Sequence, residues 1–177
     1  GTFNVSVTVT DTLGCVITFN APPVIVSNPI PSFTVNQPTE GCIPFNVQFT
    51  NTSLGATGYS WDFGDGTSST ATNPSHSYTV ADTFTVTLTA SDIGCTRSIT
   101  QTDLIITHSA LPNFSFTPTS GCLPLTVTFT DLSLNPVSWL WDFGDGNTST
   151  LQNPVHVYTS IPTGIIRLTM VDVNGCI

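Results

Sequence analysis

The chain has 177 residues, a formal net charge of −9 at pH 7, and 7% charged against 39% hydrophobic residues. Lysine is absent and Arg97 and Arg167 are the only arginines, so little is present to neutralise phosphates; nucleic acid and anionic membrane surfaces are excluded as partners. No apolar run approaches the roughly 18 residues of a membrane-spanning helix, so no membrane insertion is expected.

The first stretch alternates Phe3, Val5, Val7 and Val9 with Asn4, Ser6, Thr8 and Thr10. Period two with one apolar face predicts half-buried antiparallel strands. Phe45, Val47 and Phe49 repeat the pattern, as do Phe84, Val86, Leu88 and Ala90, and then Leu125, Val127 and Phe129. Strands are predicted near 33–36, 45–51, 58–63, 75–79, 84–91 and 97–106. No sustained helical period interrupts them, and 13 Gly and 13 Pro punctuate the chain at turns. The 32 Thr and 18 Ser suit strands whose outer face is polar without being charged. The predicted fold class is all-β, short-stranded sandwiches of the immunoglobulin-like kind.

One hexapeptide occurs twice: Trp61-Asp62-Phe63-Gly64-Asp65-Gly66 and Trp141-Asp142-Phe143-Gly144-Asp145-Gly146. The same step relates Cys42 to Cys122, His76 to His156 and Tyr78 to Tyr158, and Gly-Cys pairs end in Cys15, Cys95 and Cys176. The chain is therefore a tandem repeat. Trp61 and Phe63 share a strand face and are predicted core, with Tyr59 and its counterpart Trp139 on the same side. Phe114 and Phe116 are likewise predicted core. Gly64-Asp65-Gly66 reads as a tight turn, its glycines supplying positive φ and its Asp capping backbone N–H groups. Five cysteines at repeat-locked positions, with no Cys-x-x-Cys pair, read as disulfides of an oxidising compartment, which makes the chain extracellular.

The hexapeptide, then Asn-Pro-x-His-x-Tyr, then Thr83-Phe84-Thr85-Val86-Thr87-Leu88-Thr89 resembles the PKD domain, a β-sandwich repeat. The Gly-Cys-x-Pro element, at Gly41–Pro44 and Gly121–Pro124, is most similar to PKD arrays of very large bacterial surface and secreted proteins, many exported by the type IX route and some acting as adhesins. The turn before the long strand departs from the family pattern, as Ala81-Asp82-Thr83-Phe84 and then Thr163-Gly164-Ile165-Ile166. The resemblance implies three pieces arranged end to end: residues 1–29 as the last strands of one module, 30–109 as a complete module, and 110–177 as a module lacking its last strand. It implies Cys42 bonded to Cys176 across a module junction, with Cys15, Cys95 and Cys122 directed to modules outside. Pairing in sequence order, Cys42 with Cys95 and Cys122 with Cys176, is the alternative.

No enzyme is expected. Nucleophile-elbow, zinc-protease and aspartic-protease motifs are missing, and Glu40 is the sole glutamate. The only clustered carboxylates, Asp62, Asp65, Asp142 and Asp145, lack the ligand ladder of a calcium loop, and turn capping is set beside an incidental Ca²⁺. His76 and His156 recur with every module, as fold-specifying hydrogen bonds do and catalytic groups do not. No cofactor is expected. The resemblance implies a stalk or fibre that spaces an adhesive or enzymatic tip from a bacterial surface, its partners being neighbouring modules of the same chain. Two alternatives stand beside it: a module binding glycans or other cells, and a filament in which like chains complete one another by strand addition.

Overall fold

Alternation of apolar side chains with Thr, Ser and Asn yields strands throughout the computed structural model, which describes residues 1–36 and 38–177 and holds no helix among them. The strands of the first stretch are β1 Thr2–Phe3, β2 Ser6–Thr10, β3 Val16–Asn20 and β4 Val24–Ile25. Then come β5 Phe33–Val35, β6 Glu40–Cys42, β7 Phe45–Asn51, β8 Gly58–Asp62, β9 Ser68–Ser69, β10 Ser75–Tyr78, β11 Thr83–Asp92 and β12 Cys95–His108. The last are β13 Phe114–Thr117, β14 Leu125–Asp131, β15 Pro136–Asp142, β16 Thr148–Ser149, β17 Val155–Tyr158 and β18 Arg167–Asp172.

The fold is an immunoglobulin-like β-sandwich, present twice. Sheets β10-β7-β5 and β6-β12-β11-β8-β9 make one copy, and sheets β13-β14-β17 and β16-β15-β18 the other. In the first, β11 lies between β8 and β12; in the second, its counterpart β18 is the sheet's last strand. The last predicted strand lengthens, and between the first two predicted strands a short one appears. β12 runs to His108 and passes through Asp103 at φ 51. The short β6 exists because its residues pair in parallel with the end of β12, Glu40 with Ile106 and Cys42 with His108. Three residues are too few to show a period.

By contacts the chain forms two compact units. One comprises Gly1–Gln37, Val47–His76 and Phe84–Leu104. Its core is aromatic: Trp61 (1% exposed) meets Phe33 edge-on with centroids 5.1 Å apart and Phe49 at 5.5 Å. Val86 and Leu88 are fully buried. The alternating face of the first stretch is not half-buried as its pattern predicts. Val7 and Val9 of β2 and Ile17 and Phe19 of β3 are more than half exposed, and among the described residues this hairpin pairs only within itself, as a two-stranded sheet.

The second unit comprises Pro38–Asn46, Ser77–Thr83 and Ile105–Ile177. Val127, Phe129, Trp141, Phe143 and Tyr158 form its core, with Phe114, Leu125, Trp139, Ile166 and Leu168 partly buried against it. Phe114 meets Trp141 edge-on at 5.2 Å, as Phe33 meets Trp61. Phe116 departs from expectation. It is 36% exposed, because the surface beside β14 where it lies is uncovered.

Candidate functional site

The repeated hexapeptide ends a strand and turns. Asp62 Oδ1 accepts the Gly64 N–H at 2.9 Å, and Asp142 Oδ1 accepts the Gly144 N–H at 2.9 Å. Gly64 and Gly66 sit at φ 84 and 87, Gly144 and Gly146 at 77 and 91. That left-handed backbone carries no Cβ penalty in glycine. Asp65 Oδ1 accepts from the Thr67 N–H at 3.0 Å and the Thr67 hydroxyl at 2.6 Å, while Oδ2 lies 2.7 Å from His76 Nε2. The second copy repeats this: Asn147 N–H to Asp145 at 3.0 Å and His156 Nε2 to Asp145 Oδ2 at 2.7 Å.

Burial pushes the Asp65 carboxyl up, but hydrogen bonds from Thr67 and His76 outweigh it and hold the group below its ordinary value. Asp145 is lowered in the same way, burial opposed by bonds from His156 and Asn147. An ionised carboxylate only accepts, so each histidine donates from Nε2. Each imidazole also stacks on the hexapeptide phenylalanine, His76 on Phe63 and His156 on Phe143, both with centroids 4.2 Å apart. Tyr158 donates its hydroxyl to the Phe143 carbonyl at 3.0 Å, and burial, followed by the charge of Asp145, raises its pKa. Trp61 and Trp141 donate their indole N–H to Ala71 and Leu151 carbonyls, each at 2.9 Å. The motif residues thus bind one another and the backbone. Among the described residues no three His, Cys, Asp or Glu side chains gather as a metal site.

His108, between the two copies in sequence, finds a partner that no motif signalled. Its Nε2 lies 2.7 Å from Glu40 Oε1, where β6 and β12 pair. Beside it, Cys42 is bonded to Cys176, with Cα atoms 5.4 Å apart and 134 positions between them in sequence. Cys95 and Cys122, which pairing in sequence order would consume, are free and exposed, as is Cys15. Cys176 sits in a hairpin capped by Asp172, whose Oδ1 accepts the N–H groups of Asn174 and Cys176 at 2.9 Å each. Asp11 does the same for Leu13 and Cys15 at 2.8 Å. The spacing Asp-x-x-Gly-Cys, common to both, is the sequence signal that could have identified this cysteine-bearing turn.

One open groove of about 390 Å³ lies in the second unit, lined by Phe116, Leu123, Leu125, Tyr158, Ile161 and Ile166 among others. Its lining is apolar, and Leu123 and Ile161 are 46% and 81% exposed.

Several known proteins resemble the chain in part. Collagenase ColA of Bacillus cereus is 51% identical over 39 residues, 22% of this chain and 4% of the collagenase. The pre-pro-metalloprotease PrtV of Vibrio cholerae serotype O1 is 30% identical over 139 residues, 75% of this chain and 15% of that protein. The chain thus corresponds to a small part of the relatives it matches. A solved structure from work on carbohydrate-binding modules of the β-sandwich superfamily aligns over 83% of this chain and 85% of its own, at 16% identity and TM-score 0.42. The PKD domain model matches residues 20–106 and again 115–177, covering both copies of the hexapeptide and of its histidine partner. With two matches over most of its length, the chain belongs to the PKD domain family.

Proposed function

We propose that the chain is a non-catalytic, extracellular spacer, a run of PKD modules divided at 1–29, 30–109 and 110–177 that holds an adhesive or enzymatic part of a longer protein away from a bacterial surface. The observation that carries this reading is the bond from Cys42 to Cys176. It ties a strand of one repeat to the last hairpin of the next, so tension along the chain has a covalent route past the intervening fold. Disulfides persist outside the reducing cytosol, which supports an extracellular setting for such a device. The polar groups of the motif are engaged with one another rather than aimed at a ligand. The absence of lysine leaves trypsin-like proteases only Arg97 and Arg167 to cut.

The test is binding by the oxidised chain to a glycan array and to native collagen, the latter because two relatives are collagenases. The spacer reading expects no saturable binding to either. A specific dissociation constant in the micromolar range or tighter, about −8 kcal/mol or better, overturns it.

A further inference from the structure

The sole glutamate of the chain and the one histidine outside the repeated motif meet beside the bond from Cys42 to Cys176. β6 and β12 pair in parallel, with Glu40 opposite Ile106 and Cys42 opposite His108. Side chains two apart on a strand share a face, and neighbouring strands lie about 4.8 Å apart. Glu40, Cys42 and His108 therefore stand on one face. The imidazole lies beside Cys42 and reaches along the strand to Glu40, whose Oε1 is 2.7 Å from Nε2. An ionised carboxylate only accepts, so Nε2 carries the proton and Nδ1 of the neutral ring keeps a free lone pair.

Stability does not account for this pair. The Glu40 side chain is 61% exposed, and exposed ion pairs contribute little. Nor does the repeat require it. At the 80-residue step from Trp61 to Trp141, Cys122 stands for Cys42, but Ser120 stands for Glu40 and Asn28 for His108. The pair is particular to this cysteine. The two bonded sulfurs also differ in access, since Cys176 is 2% exposed and Cys42 half-buried. A reagent from solvent meets Cys42 first. The other charged groups about the bond are engaged. Asp172 Oδ1 accepts the N–H groups of Asn174 and Cys176. Asp82, whose carbonyl takes the Thr107 N–H, caps Thr83 with its carboxylate.

We propose that Cys42, His108 and Glu40 form a thiol-exchange site that closes and reopens the bond to Cys176, with small thiols and disulfides as its substrates. The proposal rests on that bond and not on the spacer role. His108 accepts the Cys42 proton, and Glu40 is a positioning residue that fixes the tautomer and orientation of the ring. The thiolate is the nucleophile. It attacks a small-molecule disulfide, forming a mixed disulfide and releasing one thiolate, which takes the proton from His108. The Cys176 thiol then attacks the Cys42 sulfur, and the second small thiol leaves with the Cys176 proton. Two protein thiols are oxidised as one disulfide is reduced to two thiols. Reopening runs the same steps backwards, with the incoming thiolate attacking Cys42 and Cys176 leaving.

Alkylation of the reduced chain by iodoacetamide over a pH series, read peptide by peptide by mass spectrometry, tests this with Cys122 as the internal control. An ordinary imidazole can accept a proton above about pH 6.5, whereas an ordinary thiol ionises near pH 8.5. Cys42 is less exposed than Cys122, yet at neutral pH it should react at least about tenfold faster. Its rate should also reach half its maximum at a lower pH. His108→Asn should bring both the rate and the pH profile to those of Cys122, and Glu40→Gln should do so in part. In oxidised glutathione both variants should form the Cys42–Cys176 bond more slowly but to the same extent, with unchanged melting once oxidised. That combination separates a chemical role from a structural one. A Cys42 that reacts no faster than Cys122 overturns the proposal and leaves the spacer reading standing. A pH profile indifferent to His108→Asn also overturns it, as does a variant that never forms the bond.

Discussion

At the scale of residues, the fold rests on a small set of polar groups satisfied locally around buried aromatics. Asp65 and Asp145 each tie a turn to a histidine stacked on the core, so replacing either carboxylate by Asn should cost about 1–2 kcal/mol, the worth of a charge-assisted bond and its cap. The sign of the pH effect follows from the lowered pKa values of Asp65, Asp131 and Asp145, whose ordinary value is 3.8. Groups more acidic in the folded state stabilise it fully above that value. The stabilisation is withdrawn as pH falls through the lower folded values. Melting temperature should therefore drop steeply below about pH 4, and the double substitution Asp65→Asn with Asp145→Asn should flatten that drop. A drop of unchanged steepness in the double variant would exclude these carboxylates as its origin.

At the scale of elements, hairpins and their turns set where the cysteines fall. The turn between β11 and β12 has Ile93 at φ 45 followed by Gly94 at φ 78. Two consecutive left-handed residues form the hairpin turn that favours Asn-Gly, and a β-branched residue is strained there. Ile93 is 63% exposed, so nothing in packing compensates for it. Ile93→Asn should stabilise the protein by about 0.5–1 kcal/mol, read as a raised melting temperature. Gly144 is the opposite case. It stands at φ 77, and an added Cβ would come within 2.7 Å of the Gly164 backbone. Gly144→Ala should destabilise by at least about 1–2 kcal/mol, measured by denaturant unfolding; a neutral result would mean that the two turns can separate without loss.

At the scale of the whole molecule, the bond between Cys42 and Cys176 governs how far the chain can be drawn out. It spans 134 positions. At roughly 3.3–3.6 Å per extended residue, it withholds about 440–480 Å of contour from any pulling force. Single-molecule extension of the oxidised chain should fall short of the reduced chain, or of Cys42→Ser, by about that length. Closing so long a loop also restricts the unfolded state, and its loss should cost about 2–5 kcal/mol, seen as a lower melting temperature in reductant. Equal extension in both redox states would remove the covalent route from the proposed role.

Much of this was legible in the letters alone. Alternation fixed which side chains face inward along β7, β11 and β14, because the period of a strand is a local property of the backbone. The exact repeat of Trp-Asp-Phe-Gly-Asp-Gly with its His and Tyr marked the family and the aromatic core, because each copy must satisfy the same short-range contacts. Three features lay beyond local pattern. The pairing of β6 with β12 and the bond between His108 and Glu40 join residues 66 and 68 apart, and neither carries a periodic signal. The exposure of β2 and β3 depends on whether another layer covers them, which alternation cannot report. The exposure of Phe116 in its groove is the third, because burial is decided by what packs against a residue rather than by the residue itself.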